Sequence, residues 1–194
     1  MAFIIIALTP IIAISFLIAS VKDPGYLRPG HDFLDILKSV HPCEMCPDCQ
    51  VLRTPRSRHC AICNRCVERF DHHCPWLNNC VGMNNHNEFI VFLVSLTVMF
   101  LTILVSSGLS LWNWCDFDDG NCPMQEFCLG CKIEPLTYIT IGYTFLVTLF
   151  FLLPVGYLCA IQLGNYTMNK TSNERFARTA RTMSAVSDLD AFSS

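Results

Sequence analysis

The chain has 194 residues, 52% of them apolar, a formal net charge of −3 and 13 cysteines. So many cysteines fit either a secreted disulfide scaffold or a metal domain in a reducing compartment. The apolar residues gather in long uncharged runs that lack a polar face, which excludes a soluble helical protein.

Residues 1–21 form the first run, interrupted only by Thr9, Pro10, Ser15 and Ser20. It is long enough to cross the hydrocarbon core as a helix. No Lys or Arg precedes it and it exceeds a signal-peptide core, so it reads as an anchor with its N-terminus outside. Residues 22–45 follow as a linker, and 46–88 carry a dense array of Cys and His. A second apolar run covers 89–112. Residues 113–135 form a polar loop with Cys115, Cys122, Cys128 and Cys131, suited to two disulfides in an oxidising lumen. The third run, 136–163, contains Pro154 and Gly156, which are expected to kink it, as membrane helices tolerate. The tail, 164–194, becomes rich in Ser and Thr and short of large apolar residues beyond Ala177, and is expected to be mobile.

Basic residues set the orientation. Lys22, Arg28, Lys38, Arg53, Arg56, Arg58, Arg65 and Arg69 lie within 22–88, and Lys170, Arg175, Arg178 and Arg181 in the tail, whereas 113–135 holds only Lys132. Basic loops stay cytoplasmic. The cysteine array and the C-terminus therefore face the cytosol on this reading. The sequons at Asn165 and Asn169 fall on that side too, so neither is expected to carry glycan. The cytosol is reducing, so the array should hold metal rather than disulfides.

Between Cys46 and Cys80 lie seven cysteines and three histidines. Each Cys-x2-Cys pair places two thiolates on one tight knuckle within reach of a tetrahedral zinc. Cys43-x2-Cys46 and Cys46-x2-Cys49 overlap, and spacing alone does not choose between them. His59 and Cys60 are adjacent and should serve different metals, which suggests two interleaved Cys3His sites. Two such sites need eight ligands and leave over Cys74, His72 and Asp71 from the run Asp71-His72-His73-Cys74. Those three residue types make an activated thiol with its base and orienting carboxylate.

The pattern Cys46-x2-Cys49-x9-His59-Cys60-x2-Cys63-x2-Cys66-x4-Asp71-His72-His73-Cys74-x5-Cys80-x4-Asn85-x3-Phe89 resembles the cysteine-rich domain of DHHC-type protein S-acyltransferases (palmitoyltransferases). Asp23-Pro24-Gly25 is similar to that family's DPG motif. Thr171-Ser172-Asn173-Glu174 is similar to its TTxE motif, with Ser for the second Thr. The resemblance implies a mainly α membrane protein: three transmembrane helices here, with a cytosolic zinc-bound domain of short hairpins and loops. It implies one structural zinc on Cys46, Cys49, His59 and Cys66 and another on Cys60, Cys63, His73 and Cys80, which leaves Cys43 outside the pattern, as a spare residue or else an extra acylated thiol. It implies Cys74 as nucleophile, His72 as base and Asp71 as orienter. The implied reaction transfers a long-chain fatty acyl group from acyl-CoA through a Cys74 thioester to cysteines of substrate proteins. It would run at the cytosolic face of an endomembrane (Golgi or ER) or of the plasma membrane.

Other residues receive lesser expectations. Trp76 is expected at the membrane interface or the acyl entrance. Arg56, Arg58, Arg65 and Arg69 are candidates for CoA phosphates or anionic lipid. Ser172 is expected near the active site, Glu174 beside a basic residue, Cys159 as packing, and His31, His41 and His86 as solvated loop residues. The resembled family commonly has four spans, with DPG after the second. Here DPG follows the first, so the expectation is a shortened form or a fragment without one helix that walls the acyl cavity. The alternative function is a non-catalytic, membrane-anchored zinc scaffold, which has no need of a free Cys74 beside Asp-His. A nucleic-acid binder is disfavoured, because membrane spans flank the array and no two-Cys, two-His finger helix fits.

Overall fold

A computed structural model describes residues 1–28, 45–112 and 135–176. Cys43, His31, His41, the four cysteines of 113–134, Lys132 and the tail from Ala177 lie outside the described residues. Three long helices carry the apolar runs: α1 (Ala2–Val21), α2 (His86–Trp112) and α3 (Pro135–Thr167). All three are long and apolar enough to cross a membrane. The second and third exceed the sequence expectation: α2 starts at His86 rather than 89, and α3 extends to Thr167 rather than 163. Both extensions add polar residues that no apolar run could announce.

The chain divides into two compact units: Met1–Ile12 with Leu93–Ala160, and Ala13–Phe92 with Ile161–Ser194. Among the described residues the first is built of helix. Its hydroxyls turn back on their own helices, as in Thr102 to Val98 O, Ser106 to Thr102 O and Thr144 to Thr140 O, at 2.8, 2.6 and 2.8 Å. In hydrocarbon such bonds remove the cost of an unpaired donor. Gly108 lies where an added Cβ would sit 3.5 Å from the Phe145 ring, and α3 runs through Pro154 as helix.

The second unit holds two antiparallel hairpins. β1 (Arg58–Cys60) pairs with β2 (Arg65–Val67), and β3 (His72–Cys74) with β4 (Asn79–Val81). The cross-strand partners include His59 with Cys66 and His73 with Cys80. A shorter bridge, Met45 with Leu52, marks a third hairpin of the same kind. The three share a register that recurs every fourteen residues: Met45 with Leu52, His59 with Cys66 and His73 with Cys80 are equivalent pairs, followed by Cys46, Cys60 and Cys74. Four residues beyond each of those cysteines, Gln50, Asn64 and Asn78 take a left-handed backbone, with φ of 54°, 50° and 49°. Buried apolar side chains are few, chiefly Val51, Val67, Leu77, Val81 and Phe89 among buried cysteines. A core this small is insufficient without metal.

The hairpins are fastened to the end of α1. The last carbonyls of a helix lack partners within it. Here Asn79 Nδ2 donates to the carbonyls of Ala19, Ser20 and Lys22, and Asn85 Nδ2 donates to Ala19 O. Asp23 then turns the chain by accepting the N–H groups of Gly25 and Tyr26, both at 2.8 Å. Gly25 has φ of +105°, which favours glycine. The segment runs on beside β2, with Leu27 N–H donating to Cys66 O and Glu68 N–H to Gly25 O.

Candidate functional site

The sulfur and ring-nitrogen atoms of two residue sets converge: Cys46, Cys49, His59 and Cys66, and Cys60, Cys63, His73 and Cys80, each within 4.8 Å of one another. His59 Nδ1 is 3.6, 3.2 and 4.0 Å from the sulfurs of Cys46, Cys49 and Cys66. His73 Nδ1 is 3.8, 3.4 and 3.7 Å from those of Cys60, Cys63 and Cys80. Tetrahedral zinc with bonds of about 2.3 Å to sulfur and 2.0–2.1 Å to nitrogen requires S···N edges of roughly 3.5 Å. Both sets therefore fit a closed, four-ligand zinc. Each combines the Cys-x2-Cys knuckle of one hairpin with the cross-strand His/Cys pair of the next. Arg53 adds a donor to Cys46 Sγ at 3.5 Å, and Asp48 Oδ2 stands 3.7 Å from His59 Nε2.

The repeat explains where Cys74 stands. It occupies the knuckle position of Cys46 and Cys60, but Leu77 replaces the second cysteine, and no further His/Cys hairpin follows among the described residues. In all three knuckles the backbone N–H groups two and three residues on address the sulfur: Asp48 and Cys49 for Cys46, Ile62 and Cys63 for Cys60, Trp76 and Leu77 for Cys74. Strand geometry separates the two chemistries. Alternate residues on β3 face opposite sides, so His73 turns to the metal set while His72 and Cys74 share the other face.

On that face His72 Nδ1 and Asp71 Oδ2 are 2.7 Å apart, which leaves Nε2 of His72 for the neighbouring Cys74 thiol. The His72 ring is also held edge-on by Phe89, with centroids 5.4 Å apart. Asp71 is 2% exposed and richly bonded. Gln162 Nε2 donates to its Oδ2 at 2.9 Å, and Ser172 N–H to its Oδ1. Burial works against the charge on Asp71, but the bonds from His72, Ser172 and Gln162 overcome it and hold the carboxyl at about 2. Burial likewise opposes charge on His72, yet Asp71 and Cys74 raise the imidazole to about 9. Burial would raise the Cys74 thiol, but His72 and the N–H groups of Leu77 and Trp76 bring it below its ordinary value. The arrangement favours a thiolate–imidazolium pair.

The motif Thr171–Glu174 acts as a helix cap. Glu174 N–H donates to Thr171 Oγ1 and Thr171 N–H to Glu174 Oε2, a reciprocal box at the start of the helical turn 172–176. That turn presents the Ser172 N–H to Asp71. The Ser172 hydroxyl meets Gln162 Nε2 and Asn165 Nδ2, both at 3.1 Å. Arg56 clamps Glu174 with two bonds, at 2.6 and 3.0 Å.

Arg69 donates to Asn169 Oδ1 at 2.6 Å, and Arg65 lies over the Tyr26 ring, 5.0 Å from its centroid. Arg58 and Trp76 are exposed, Trp76 at 83%. Asn165, the first sequon residue, is buried, and Cys159 is buried within α3. His86 departs from expectation. Instead of lying in a solvated loop it opens α2, stacks on Tyr166 with centroids 5.9 Å apart, and has a buried Nε2. Sequence reading also missed Gln162, which sits at the polar end of an apolar run. The fourteen-residue repeat was the one available signal for Cys74 as a knuckle without metal.

A family model described as DHHC palmitoyltransferase matches residues 40–179. The chain is 34% identical over 178 residues to the bovine palmitoyltransferase ZDHHC4, covering 82% of this chain and 51% of that protein. It is 34% identical over 158 residues to rat palmitoyltransferase ZDHHC5, covering 79% of this chain and 19% of the relative. It is 40% identical over 119 residues to palmitoyltransferase Hip14 of Drosophila melanogaster, covering 52% of this chain and 19% of the relative. The chain thus spans about half the length of the bovine relative and less of the other two. With three apolar helices, two convergent metal-ligand sets and a family match over most of its length, the chain belongs to the DHHC palmitoyltransferase family.

Proposed function

We propose that this chain is a protein S-acyltransferase of the membrane surface, with Cys74 as nucleophile, His72 as its proton partner and Asp71 as orienter. The observation that carries the reading is the Asp71–His72 bond beside a buried Cys74 that neither metal set uses. The Cys74 thiolate attacks the carbonyl carbon of a long-chain acyl-CoA thioester. The new C–S bond forms, the bond to the CoA sulfur breaks, and the departing CoA thiolate takes the proton of imidazolium His72. His72 then removes the proton from a substrate cysteine. That sulfur attacks the acyl-Cys74 thioester, and Cys74 leaves as thiolate, restored for the next cycle. A thioester is exchanged for a thioester, so no external energy is needed. Asp71 holds the tautomer of His72 and stabilises its charged form throughout.

Cys46, Cys49, His59 and Cys66 would hold one zinc, and Cys60, Cys63, His73 and Cys80 the other. When bound, these zincs supply folding energy rather than reactivity, because four protein ligands leave no open position. The fatty chain belongs in the bilayer, gaining about 0.8 kcal/mol per buried CH2. This favours a site at the membrane surface, with the exposed Trp76 at the interface. The eight Lys and Arg of 22–88, against one in 113–135, support a cytosolic site, at an endomembrane (Golgi or ER) or the plasma membrane, with cysteine-bearing proteins of that face as acceptors.

The test is incubation of purified, zinc-loaded protein with labelled long-chain acyl-CoA. Label released by neutral hydroxylamine is expected on the wild-type chain and absent from Cys74→Ser, with zinc content equal in both. Full labelling of the Ser variant would move the nucleophile elsewhere, and no label on the wild type would leave a zinc-domain scaffold as the better reading.

A further inference from the structure

Two buried polar atoms beside the site have no partner: Nε2 of His86 and Oε1 of Gln162. A buried polar group without a bond costs on the order of 1–3 kcal/mol, so each such atom calls for a cause. The two are complementary, since an imidazole nitrogen can donate and an amide oxygen only accepts. They also share one face of α3, because His86 stacks on Tyr166, one turn beyond Gln162, although no direct bond joins the two atoms as the side chains stand. The orientation of Gln162 is not free. Asp71 Oδ2 and Ser172 Oγ lie 2.9 and 3.1 Å from one terminal atom of the amide. A carboxylate accepts, so that atom is nitrogen and the oxygen is the end turned away from Asp71. His86 is in turn held by its stack on Tyr166 and by its place at the first residue of α2.

We infer that His86 and Gln162 are positioning residues for the acyl-transfer site, His86 donating from Nε2–H to Gln162 Oε1 and Gln162 donating from Nε2 to Asp71. The relay then runs His86, Gln162, Asp71, His72, Cys74, and its outer members touch neither the acyl group nor CoA. It rests on the acyl-transfer reading for its purpose but not for its existence. A glutamine amide can rotate end for end. Reversed, it would set oxygen against the Asp71 carboxylate and displace the acceptor that aligns His72. A donor on Oε1 opposes that reversal, which is the work His86 is placed to do. His86 thus acts by fixing which end of Gln162 faces the acid.

The test uses the complete, zinc-loaded chain in micelles and has two arms. In the first, histidine side chains are labelled with nitrogen-15. His86 is expected as the Nε2–H tautomer, and its Nε2 resonance is expected to move in Gln162→Leu. A His86 protonated on Nδ1, or unmoved by Gln162→Leu, overturns the pair. In the second, self-acylation is measured. His86→Phe keeps the ring against Tyr166 but removes the donor, and is expected to lower kcat about tenfold, the worth of one hydrogen bond, with KM for acyl-CoA unchanged. His86→Gln, whose amide can supply a donor, is expected to recover most of that rate. His86→Phe at the wild-type rate, or His86→Gln as slow as His86→Phe, overturns the positioning role. Zinc content reports the fold of each variant. A wild-type chain that takes up no acyl group sinks the acyl-transfer reading, while the resonance arm still decides the pair.

Discussion

The backbone N–H of Ser172 donates to Oδ1 of Asp71, joining residues 101 apart in the chain. That bond ties the acid of the proposed site to the helical turn capped by Thr171 and Glu174. Asp71→Asn keeps the shape but cannot take donors from Ser172, His72 and Gln162 together. It is expected to slow self-acylation by about 10²- to 10⁴-fold, as loss of an orienting carboxylate does in other triads. Single-turnover kinetics with labelled acyl-CoA measure it, and a variant within twofold of wild type would remove Asp71 from the mechanism.

Charge sets a pH window. His72 is raised to about 9 in the folded chain, against about 6.5 for an unperturbed imidazole. Its contribution to stability is therefore complete below about 6.5 and is lost as pH rises through about 9. Asp71 is held at about 2, so its contribution is present above its ordinary value near 4 and is lost as pH falls toward 2. The acylation rate is expected to fall on the alkaline side near pH 9, where His72 loses the proton it would give to departing CoA. A rate still climbing beyond pH 10 would contradict that role.

Two zinc ions per chain are expected from metal analysis of purified protein. His59→Ala and Cys63→Ala should each lower both zinc content and yield of folded protein, since metal binding and folding are one equilibrium here. Chelation should abolish self-acylation together with the folded signal in circular dichroism. Full activity of metal-free protein would overturn the structural assignment.

Gly82 tests the docking of the Asp23-Pro24-Gly25 turn. A Cβ there would lie 2.5 Å from both Pro24 O and Val67 Cγ1. Backbone cannot yield as a flexible side chain does, so Gly82→Ala is expected to destabilise by about 1–3 kcal/mol. Thermal unfolding measures it, with Gly142→Ala as control, because an added Cβ at Gly142 meets nothing within 4 Å.

Local pattern made much of this legible. The spans show because lipid demands unbroken apolar length, and the metal ligands show because thiolate spacing follows from the reach of one ion. What stayed hidden depends on partners distant in sequence. Gln162 lies 91 residues from Asp71, and a lone glutamine at the end of an apolar run carries no local trace of that bond. Asn79 carries no signal in the sequence, and Asn85 stands in the resembled pattern without a visible reason, until the end of α1 arrives to need donors. His86 looked solvated because its neighbours are polar, whereas its own face turns inward. The fourteen-residue recurrence was readable throughout, but the unbroken ligand list drew attention to pairs of cysteines instead of to hairpins.

That recurrence has two ends, and they differ. At one, the bridge of Met45 with Leu52 offers no ligands. At the other, the Cys74 knuckle has no following His/Cys pair among the described residues to share a metal with. Inside the row the proposed zincs would consume each thiolate, so among the described hairpin cysteines the terminal one would be left available to an electrophile. Its backbone cradle is nonetheless the one that addresses the ligand sulfurs of Cys46 and Cys60 in the candidate metal sets. On the proposed mechanism reactivity is a boundary effect: adding one more His/Cys hairpin after β4 would turn the proposed nucleophile, Cys74, into a ligand and silence it.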